Sequence, residues 1–371
     1  MKKSKSIISS IDNFLSEFRR VFINTLTILF LVLITFGSFF SLGSLFEFDE
    51  VETEGQILYL ELNGFIVDKA ITRNDPFEEL EIFGSSTNQI ELENILKVIN
   101  NAGNDDNLKA IYLDVDDLRA YYTSALKIAD ALYEARDSGK EIVAFTSGLG
   151  TTGYLIASQA TEIILEKDAY GSVLPFGFSR VRQYQKDFFK NIKVDVNVYA
   201  AGDFKSGPEG YTRNDMSETD RLAWLEFVTP VWEKYKIKME TGRGFESGKI
   251  QYIGDNYHLL ANENGSDDNE TALKTGLVDK LMSKQEIRNY LIEKFGSDDE
   301  YDRPKGISAR EYLSTLKDEE ISNKEKKAKE KNKIAIIHVE GAIVTGGIDF
   351  NSAGSDGCLL YTSDAADECS G

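Results

Sequence analysis

Short apolar runs alternate along the chain with segments in which apolar residues recur at helical spacing. The apolar runs predict buried β-strands at residues 56–62, 110–115, 141–146 and 162–165. The periodic segments predict helices at residues 88–101, 123–138 and 154–160. Strands that alternate with helices in this way are typical of parallel βαβ units with right-handed crossovers. The pattern therefore predicts an α/β fold around a parallel sheet.

The region after these units changes from helix to strand to loop. A helix over 179–191 and a strand over 194–200 are predicted ahead of a loop rich in Gly and Pro, and this loop contains Lys205. The next helix is predicted to begin at Ser217, which suits an N-cap ahead of an acidic first turn.

The N-terminal segment 21–46 is apolar and long enough to cross a bilayer as a helix. Lys and Arg residues precede it and acidic residues follow it, so the positive-inside rule places segment 1–20 in the cytoplasm and the rest of the chain outside. We therefore predict an uncleaved, single-pass signal anchor in the cytoplasmic (inner) membrane. A cleaved signal peptide is the alternative, although the apolar run is longer than an ordinary signal-peptide core.

Composition narrows the function classes. The formal net charge of −20 over 371 residues argues against a nucleic-acid partner, since phosphate binding needs clustered Lys and Arg. The two cysteines, Cys358 and Cys369, leave no disulfide framework and no thiolate metal site in the rest of the chain. The two histidines, His258 and His338, argue against a Ser-His-Asp triad or a His-rich metal centre. No metal and no cofactor are predicted.

An internal repeat relates two parts of the chain. Residues 57–67 and 334–344 are both apolar strands broken at the same place by a glycine, Gly64 and Gly341. The repeat predicts that a second copy of the first domain begins near residue 333, and chance similarity of two strand–turn units is the alternative.

The repeat and the shifts in composition give a predicted domain layout. We expect a first domain over 55–316, a charged linker over 317–332 that is rich in Lys and Glu, and the truncated start of a second domain over 333–356. The last segment, 357–371, breaks from the preceding composition and resembles a translated sequencing adapter. We expect this tail, with both cysteines, to be foreign to the natural protein.

Lys205 is the candidate catalytic residue, as a general base. A lysine held rigidly and partly desolvated in a tight loop can supply a neutral amine, because desolvation disfavours the ammonium form. Such an amine can deprotonate a serine hydroxyl, which is the general-base role that histidine plays elsewhere. An ordinary surface lysine is the alternative.

Several short motifs occur together and in order. Residues 202–206 and 213–217 resemble the base motif of the signal peptide peptidase A family in its long, two-domain, membrane-anchored form. The segments 153–158 and 276–279 resemble further motifs of that family, and the resemblance extends over about residues 20–350.

The resemblance implies a fold, a mechanism and a partner class. The fold would be a crotonase/Clp-protease-like ββα superhelix. The mechanism would use a Ser/Lys dyad in which the first domain gives the lysine, here Lys205, and the second domain gives the serine. The implied protein is a ring-like homo-oligomer outside the cytoplasmic membrane that degrades remnant signal peptides and other apolar peptides. It needs no cofactor.

Two departures affect the first domain. Thr151 stands where one-domain relatives have the serine nucleophile, and residues 116–120 lack the glycines of the oxyanion loop and carry carboxylates instead. The first domain is therefore predicted to donate a base without having a complete site, and this chain alone is predicted to be inactive.

The remaining candidates are supporting residues and rival functions. Ser206 either orients the lysine or satisfies the loop backbone. Arg213 and Asp215 are predicted to hold the loop by an ion pair or hydrogen bonds, and a contact with substrate is the alternative. A non-catalytic crotonase-like scaffold or assembly protein is the alternative function. An acyl-CoA enzyme of the same fold is a further alternative, and the membrane anchor argues against it.

Overall fold

The computed structural model describes residues 19–20, 22–32, 54–70, 89–169, 171–199, 201–202, 204–298, 303–317, 342–344 and 352–354. The chain divides into two compact units, Met1–Glu52 and Thr53–Gly371. The predictions for segment 1–18, for most of the linker 317–332 and for the tail 357–371 lie outside the described residues.

The first unit is described where residues 19, 20 and 22–32 form helix α1. The apolar side chains of α1 are exposed, for example Phe30 at 62%. No helix among the described residues combines the length and the apolar character needed to cross a bilayer. The transmembrane helix predicted for 21–46 is therefore not found, and residues 33–46 lie outside the described part of the chain.

Among the described residues, all the strands and the remaining helices belong to the second unit. The strands are β1 (Gln56–Glu61), β2 (Gly64–Val67), β3 (Gln89–Glu91), β4 (Leu108–Asp114), β5 (Leu118–Arg119), β6 (Glu141–Thr146), β7 (Leu149–Gly150), β8 (Glu162–Glu166), β9 (Val173–Leu174), β10 (Lys280–Met282), β11 (Gly306–Ser308), β12 (Ala342–Val344) and β13 (Ser352–Gly354). The helices are α2 (Leu92–Asn104), α3 (Tyr122–Asp137), α4 (Thr151–Ala157), α5 (Lys186–Asn191), α6 (Glu209–Thr212), α7 (Glu218–Arg243), α8 (Lys249–Glu263), α9 (Asp268–Thr275), α10 (Lys284–Phe295) and α11 (309–317).

A six-stranded sheet in the order β10-β8-β6-β4-β1-β11 forms the centre of this unit. All of its strand pairs are parallel, with Leu58 opposite Ile111 and Ile111 opposite Ile142. The α/β class and the parallel sheet predicted from the sequence are confirmed. Parallel sheets are usually covered on both faces, which explains why β4, β6 and β8 are apolar along most of their length.

Short strands follow the long ones at one edge of the sheet. β1, β4, β6 and β8 lead into β2, β5, β7 and β9 within a few residues, and these pair separately as β3-β2-β5 and β7-β9. A helix follows β3, β5 and β7. The resulting ββα order places the loops after β4, β6 and β8 next to one another at the carboxyl edge of the sheet.

Each face of the main sheet has its own core. On one face Ile57, Val143 and Ile164 pack with Ile287 and Leu291 of α10. The opposite face belongs to a larger core that includes residues of α2, α3, α4 and α7. Because successive side chains of a strand point to opposite faces, neighbouring residues of β1, β4 and β6 contribute to different cores.

Two predictions before Lys205 are wrong. Residues 194–199 form no strand and are exposed, and only Lys186–Asn191 of the helix predicted over 179–191 is helical. The alternation of Val194, Val196 and Val198 with polar residues is a strand pattern. β-propensity needs a neighbouring strand to be realised, however, and this segment pairs with none of the described strands.

The capping box of α10 gives a stability prediction. The hydroxyl of Ser283 accepts a hydrogen bond from the backbone N–H of Glu286, whose carboxylate accepts from the Ser283 backbone. Replacing Ser283 with Ala is expected to cost about 1 kcal/mol near neutral pH, as N-cap removal usually does. Urea unfolding would measure the loss, and the exposed Ser138→Ala serves as the control.

The same cap should respond to acid. The hydrogen bond from Lys167, followed by those from Ser283, lowers the pKa of Glu286 from its ordinary 4.5 to about 2. A carboxyl with a depressed pKa in the folded state adds stability above its unfolded pKa, and this stability is lost as the pH falls through the folded pKa. The Ser283→Ala difference should therefore shrink between pH 4.5 and about 2. An undiminished difference at the acid end would contradict this role for Glu286.

Candidate active site

A cavity of about 310 Å³ opens beside the N-terminus of α4. The loops after β4, β6 and β9 form its walls. Its lining residues include Asp116, Tyr122, Thr151, Gly153 and Phe178. The sequence resemblance implies a nucleophile and an oxyanion loop in this part of the fold, so the contacts of Thr151 and Asp116 decide what the cavity can do.

The Thr151 hydroxyl is bonded to the backbone of Gly177 as both donor and acceptor. It donates to the Gly177 carbonyl at 2.7 Å and accepts from the Gly177 N–H at 3.1 Å. A nucleophile needs a base that can take its proton, and here the proton already belongs to a short hydrogen bond with a carbonyl. Thr151 therefore links the N-terminus of α4 to the loop at residues 177–179, which is a structural role.

Asp116 has a similar structural role. Its carboxylate accepts from the Ser147 backbone N–H, at 2.9 Å to the nearer oxygen, and from the Ser147 and Thr146 hydroxyls. An oxyanion hole needs free N–H donors aimed at the developing charge. At this turn a carboxylate occupies the Ser147 N–H, so the loop is stabilised but offers this donor to no substrate oxygen.

More carboxylates lie at the strand ends nearby. Glu61, Asp114, Asp116 and Glu166 line a second cavity of about 340 Å³ at the carboxyl edge of the main sheet. Burial raises the pKa of Asp114, and the charges of Asp116 and Glu61 raise it further. Among the described residues no cluster of His, Cys, Asp and Glu is arranged to hold a metal ion. The acidic edge opposes the development of negative charge in a transition state.

Gly171 allows the loop before β9 to approach the loop after β6 closely. A Cβ added at Gly171 would lie 2.0 Å from the Ser147 carbonyl oxygen, whereas one added at Gly150 would meet no atom within 4 Å. Because the clash is with backbone, no rotamer change relieves it. Gly171→Ala is expected to lose about 1–3 kcal/mol of unfolding free energy, as overpacked sites do. Denaturant titration against Gly150→Ala measures this, and equal stability of the two variants would contradict the close approach.

Lys205 lies in an irregular loop and is exposed. Its side chain forms no hydrogen bond or ion pair with another described residue. Gly202, three residues earlier, has φ +99°, and Phe204 is 62% exposed. The amine is therefore accessible from solvent, and the buried setting that a strand over 194–200 would have given it is not present in this chain.

The residue that follows Lys205 is anchored. The Ser206 carbonyl accepts from Nη2 of Arg182 at 2.7 Å, and Nη2 also reaches the Gly207 carbonyl. The Ser206 side chain lies near the carboxylate of Asp220, in the first turn of α7, and helps to lower the pKa of that group. Arg182 therefore fixes the backbone at Ser206, whether the hydroxyl orients the lysine or only satisfies the loop.

Asp220 is the centre of a charged cluster. Its side chain is 4% exposed and accepts from Arg180 Nη1 at 3.1 Å and, more weakly, from Arg182 Nη1 at 3.4 Å. Burial raises the pKa of Asp220, but the hydrogen bonds from Ser206 and Arg180, together with the positive charges, outweigh burial and leave it below its ordinary value. The carboxylate is therefore ionised at neutral pH.

A second contact fixes Asp220 to the same loop. Ser217 caps α7, as predicted from the sequence, and its hydroxyl accepts from the Asp220 N–H at 3.0 Å. The Glu209 carboxylate in turn accepts from the N–H and the hydroxyl of Ser217. The Glu209 N–H donates to the Ser206 carbonyl at 3.0 Å. The contacts therefore form a ring that runs from Ser206 through Glu209, Ser217 and Asp220 and closes through Arg182.

Arg213 and Asp215 form a pair on the outer side of this ring. Arg213 Nη2 donates to the Asp215 carboxylate at 2.9 Å, and its Nε donates to the Asp215 carbonyl at 3.1 Å. Their side chains are 42% and 77% exposed, so the pair adds little stability. The pair joins the start and end of one turn, and its contribution to catalysis stays a prediction.

Sequence reasoning missed the residues that hold the loop. Asp220 was noted only as part of an acidic first turn, and Arg180 and Arg182 fell inside a predicted helix. The two arginines contact Asp220 across about forty residues of sequence. The one available signal was the placement of two arginines shortly before a Gly- and Pro-rich loop.

Comparison with known proteins places this loop inside a family match. The sequence profile of peptidase family S49 matches residues 134–296, a region that contains Lys205, Ser206, Arg213 and Asp215. Protease 4 of Salmonella typhi is 28% identical over 360 residues, covering 94% of this chain and 55% of that protein. Protease 4 of Haemophilus influenzae is 27% identical over 315 residues, covering 82% and 48%.

More distant similarities exist. The chloroplastic serine protease SPPA of Arabidopsis thaliana is 22% identical over 243 residues, covering 66% of this chain and 33% of that protein. A solved structure of Pseudomonas aeruginosa DspI is 13% identical over 55% of this chain and 62% of that chain, and its TM-score of 0.23 supports no conclusion. This chain spans about half the length of the two Protease 4 relatives. The family S49 match and the two Protease 4 relatives support a likeness to the signal peptide peptidase A family.

Proposed function

We propose that the complete protein is a membrane-bound serine endopeptidase with a Ser/Lys dyad, in which Lys205 is the general base. The observation that carries the proposal is the setting of Lys205, an accessible amine whose neighbour Ser206 is held by Arg182. The domain that brings the serine is proposed also to desolvate the amine, which is exposed in this chain. A base that serves a nucleophile from another part of the protein has to be both accessible and positioned.

The serine is proposed to come from the second domain, whose start we predict near residue 333. The Thr151 hydroxyl is engaged with Gly177, and the Asp116 carboxylate occupies the Ser147 N–H that an oxyanion would otherwise contact. These contacts favour a first domain that gives the base and leaves the nucleophile and the oxyanion donors to a partner domain. This chain alone is accordingly proposed to be inactive.

The substrate and location follow from the resemblance and from the chain's own pattern. The ββα order is consistent with a Clp-protease-like superhelix, in which strand edges suit extended apolar peptides such as remnant signal peptides. Basic residues before the apolar segment 21–46 favour a cytoplasmic N-terminus and a periplasmic catalytic part. The complete protein is proposed to act as a ring-like homo-oligomer without a cofactor.

A second candidate function is a scaffold or assembly protein without chemistry. The carboxylate-rich turn at Asp116 and the engaged Thr151 favour it, because both groups are bonded within the protein. The natural sequence after residue 356 discriminates between the candidates. A Gly- and Ser-rich helix start in the second domain favours the peptidase.

The test is hydrolysis and active-site labelling of the complete protein. We expect it to cleave an apolar fluorogenic peptide and to react with a fluorophosphonate, with the label on a serine after residue 333. Mass spectrometry of the labelled peptide identifies that residue. A label on Thr151, or a folded complete protein that neither cleaves nor reacts, would overturn the proposal and favour the scaffold in the second case.

A further inference from the structure

We propose that Asp220 is the positioning residue of Lys205, acting through Ser206 and with the help of Arg182. The inference rests on the proposed function, because it gives Lys205 the role of base. Asp220 does not contact the reacting atoms in this role. It determines where the loop presents the amine.

The first step is the two-sided hold on Ser206. Its carbonyl accepts from the Arg182 guanidinium at 2.7 Å, and its side chain lies close enough to the Asp220 carboxylate to help lower the pKa of that group. Arg182 also pairs with Asp220, so one guanidinium joins the carboxylate to the backbone directly after Lys205. A planar guanidinium with several donors in fixed directions is well suited to this task.

The second step is the rigidity of the anchor. Asp220 belongs to the first turn of the 26-residue helix α7, its N–H is bonded to the Ser217 cap, and Glu209 holds Ser217. The helix N-terminus also favours a negative charge at this position. Helix α7 and its cap therefore fix the position of the carboxylate. Arg182, which contacts both the carboxylate and the Ser206 carbonyl, transmits this position to Ser206.

The third step concerns the residues before Ser206, which have fewer contacts than Ser206 itself. Gly202 adopts a positive φ, and both Phe204 and Lys205 are exposed, so this side rests on few contacts within the described residues. A base has to lie within hydrogen-bond reach of the proton it removes, and a displacement of about 1 Å can cost about 100-fold in rate. The hold on Ser206 is the contact nearest to Lys205 that can prevent such a displacement.

The kinetic test uses Ser206→Ala, Ser206→Thr and Asp220→Asn in the complete protein, with an apolar fluorogenic peptide. We expect Ser206→Ala and Asp220→Asn to lower kcat at least about tenfold with little change in KM, since positioning acts in the transition state. Ser206→Thr keeps the hydroxyl and is expected to retain most of kcat. Glu218→Gln is the matched control, because Glu218 lies in the same helical turn and is 92% exposed.

A second measurement follows the loop itself. Trypsin cleavage after Lys205 is expected to become at least about tenfold faster in Asp220→Asn than in Glu218→Gln. A loop that has lost its anchor at Ser206 enters the active site of trypsin more readily. This measurement needs no peptidase activity and works on the chain as it stands. If Asp220→Asn does not fold, Ser206→Ala still tests the proposal, since it leaves the arginine–carboxylate pairs intact.

The outcomes separate this inference from the proposed function. Unchanged kcat in folded Ser206→Ala and Asp220→Asn, together with inactivity of a Lys205 variant, overturns the positioning role and leaves the base assignment in place. Full activity of a Lys205 variant overturns the proposed function instead. Equal loss of kcat in Ser206→Ala and Ser206→Thr also overturns the inference, because the hydroxyl would then not be the link.

Discussion

Replacing Lys205 with Met in the complete protein is expected to lower kcat for an apolar peptide by about 10²–10⁴-fold, the usual contribution of a general base. Methionine keeps the unbranched side chain but has no group that can accept a proton. Lys205 is exposed and has no partner among the described residues, so the substitution leaves the surrounding contacts unchanged. The loss should therefore appear in kcat with little effect on folding.

Arginine at the same position separates charge from basicity. Lys205→Arg keeps the positive charge, but a guanidinium is not deprotonated in proteins and should fail as a base. Lys190→Met, at an exposed lysine of α5, is the matched control and should keep the parent activity. Activity of Lys205→Met or Lys205→Arg close to that of the Lys190 control would show that the base is a different group.

Replacing Asp220 with Ala is expected to destabilise the domain by about 2–4 kcal/mol, near the range for breaking a buried ion pair by removing one partner. The carboxylate is 4% exposed, whereas Arg180 and Arg182 are 31% and 18% exposed in their side chains. The arginines keep some contact with water, which places the expected loss below the upper end for fully buried charges.

Denaturant unfolding of the chain measures this loss, with Glu218→Ala as the control. Glu218 is 92% exposed, and its nearest pairing, with Arg221, is 3.9 Å long. Its removal should therefore change stability by less than about 0.5 kcal/mol, as exposed substitutions usually do. Equal stability of Asp220→Ala and Glu218→Ala would show that the arginine cluster does not hold the loop.

The free energy of unfolding at acid pH gives an independent check on the ionisation of Asp220. Its pKa in the folded protein lies below its ordinary value, so its contribution is present above the unfolded pKa and is lost as the pH falls through the folded value. The difference between the parent chain and Asp220→Ala should therefore be largest near neutral pH and decrease in acid. A difference that grows in acid would contradict the assigned ionisation.

The parallel sheet and its helices could be predicted because their signals are local. The strand predicted at 141–146 coincides with β6, and the helix predicted at 123–138 differs from α3 by one residue at each end. A buried strand or an amphipathic helix shows its environment directly in the period of its apolar residues. The cap at Ser217 was equally local, because an N-cap bonds to a residue three positions away.

The segment before Lys205 shows where local signals fail. Residues 194–199 have a strand pattern yet pair with none of the described strands, because a strand exists only when another chain segment satisfies its hydrogen bonds. Arg180 and Arg182 were predicted in a helix, but their partners are Asp220 and the Ser206 carbonyl. No property of residues 179–191 alone specifies those partners.

The sequence by itself therefore determined the α/β class, the parallel sheet and the identity of the candidate base, Lys205. The tertiary structure decided the surroundings of that base. It engaged Thr151 with Gly177, used the Asp116 carboxylate to bind Ser147, and assembled Asp220, Arg180 and Arg182 beside Ser206. The physical reason is the range of the interactions: periodicity and capping act within a few residues, whereas charge pairing and side-chain-to-backbone contacts join residues that only the folded chain brings together.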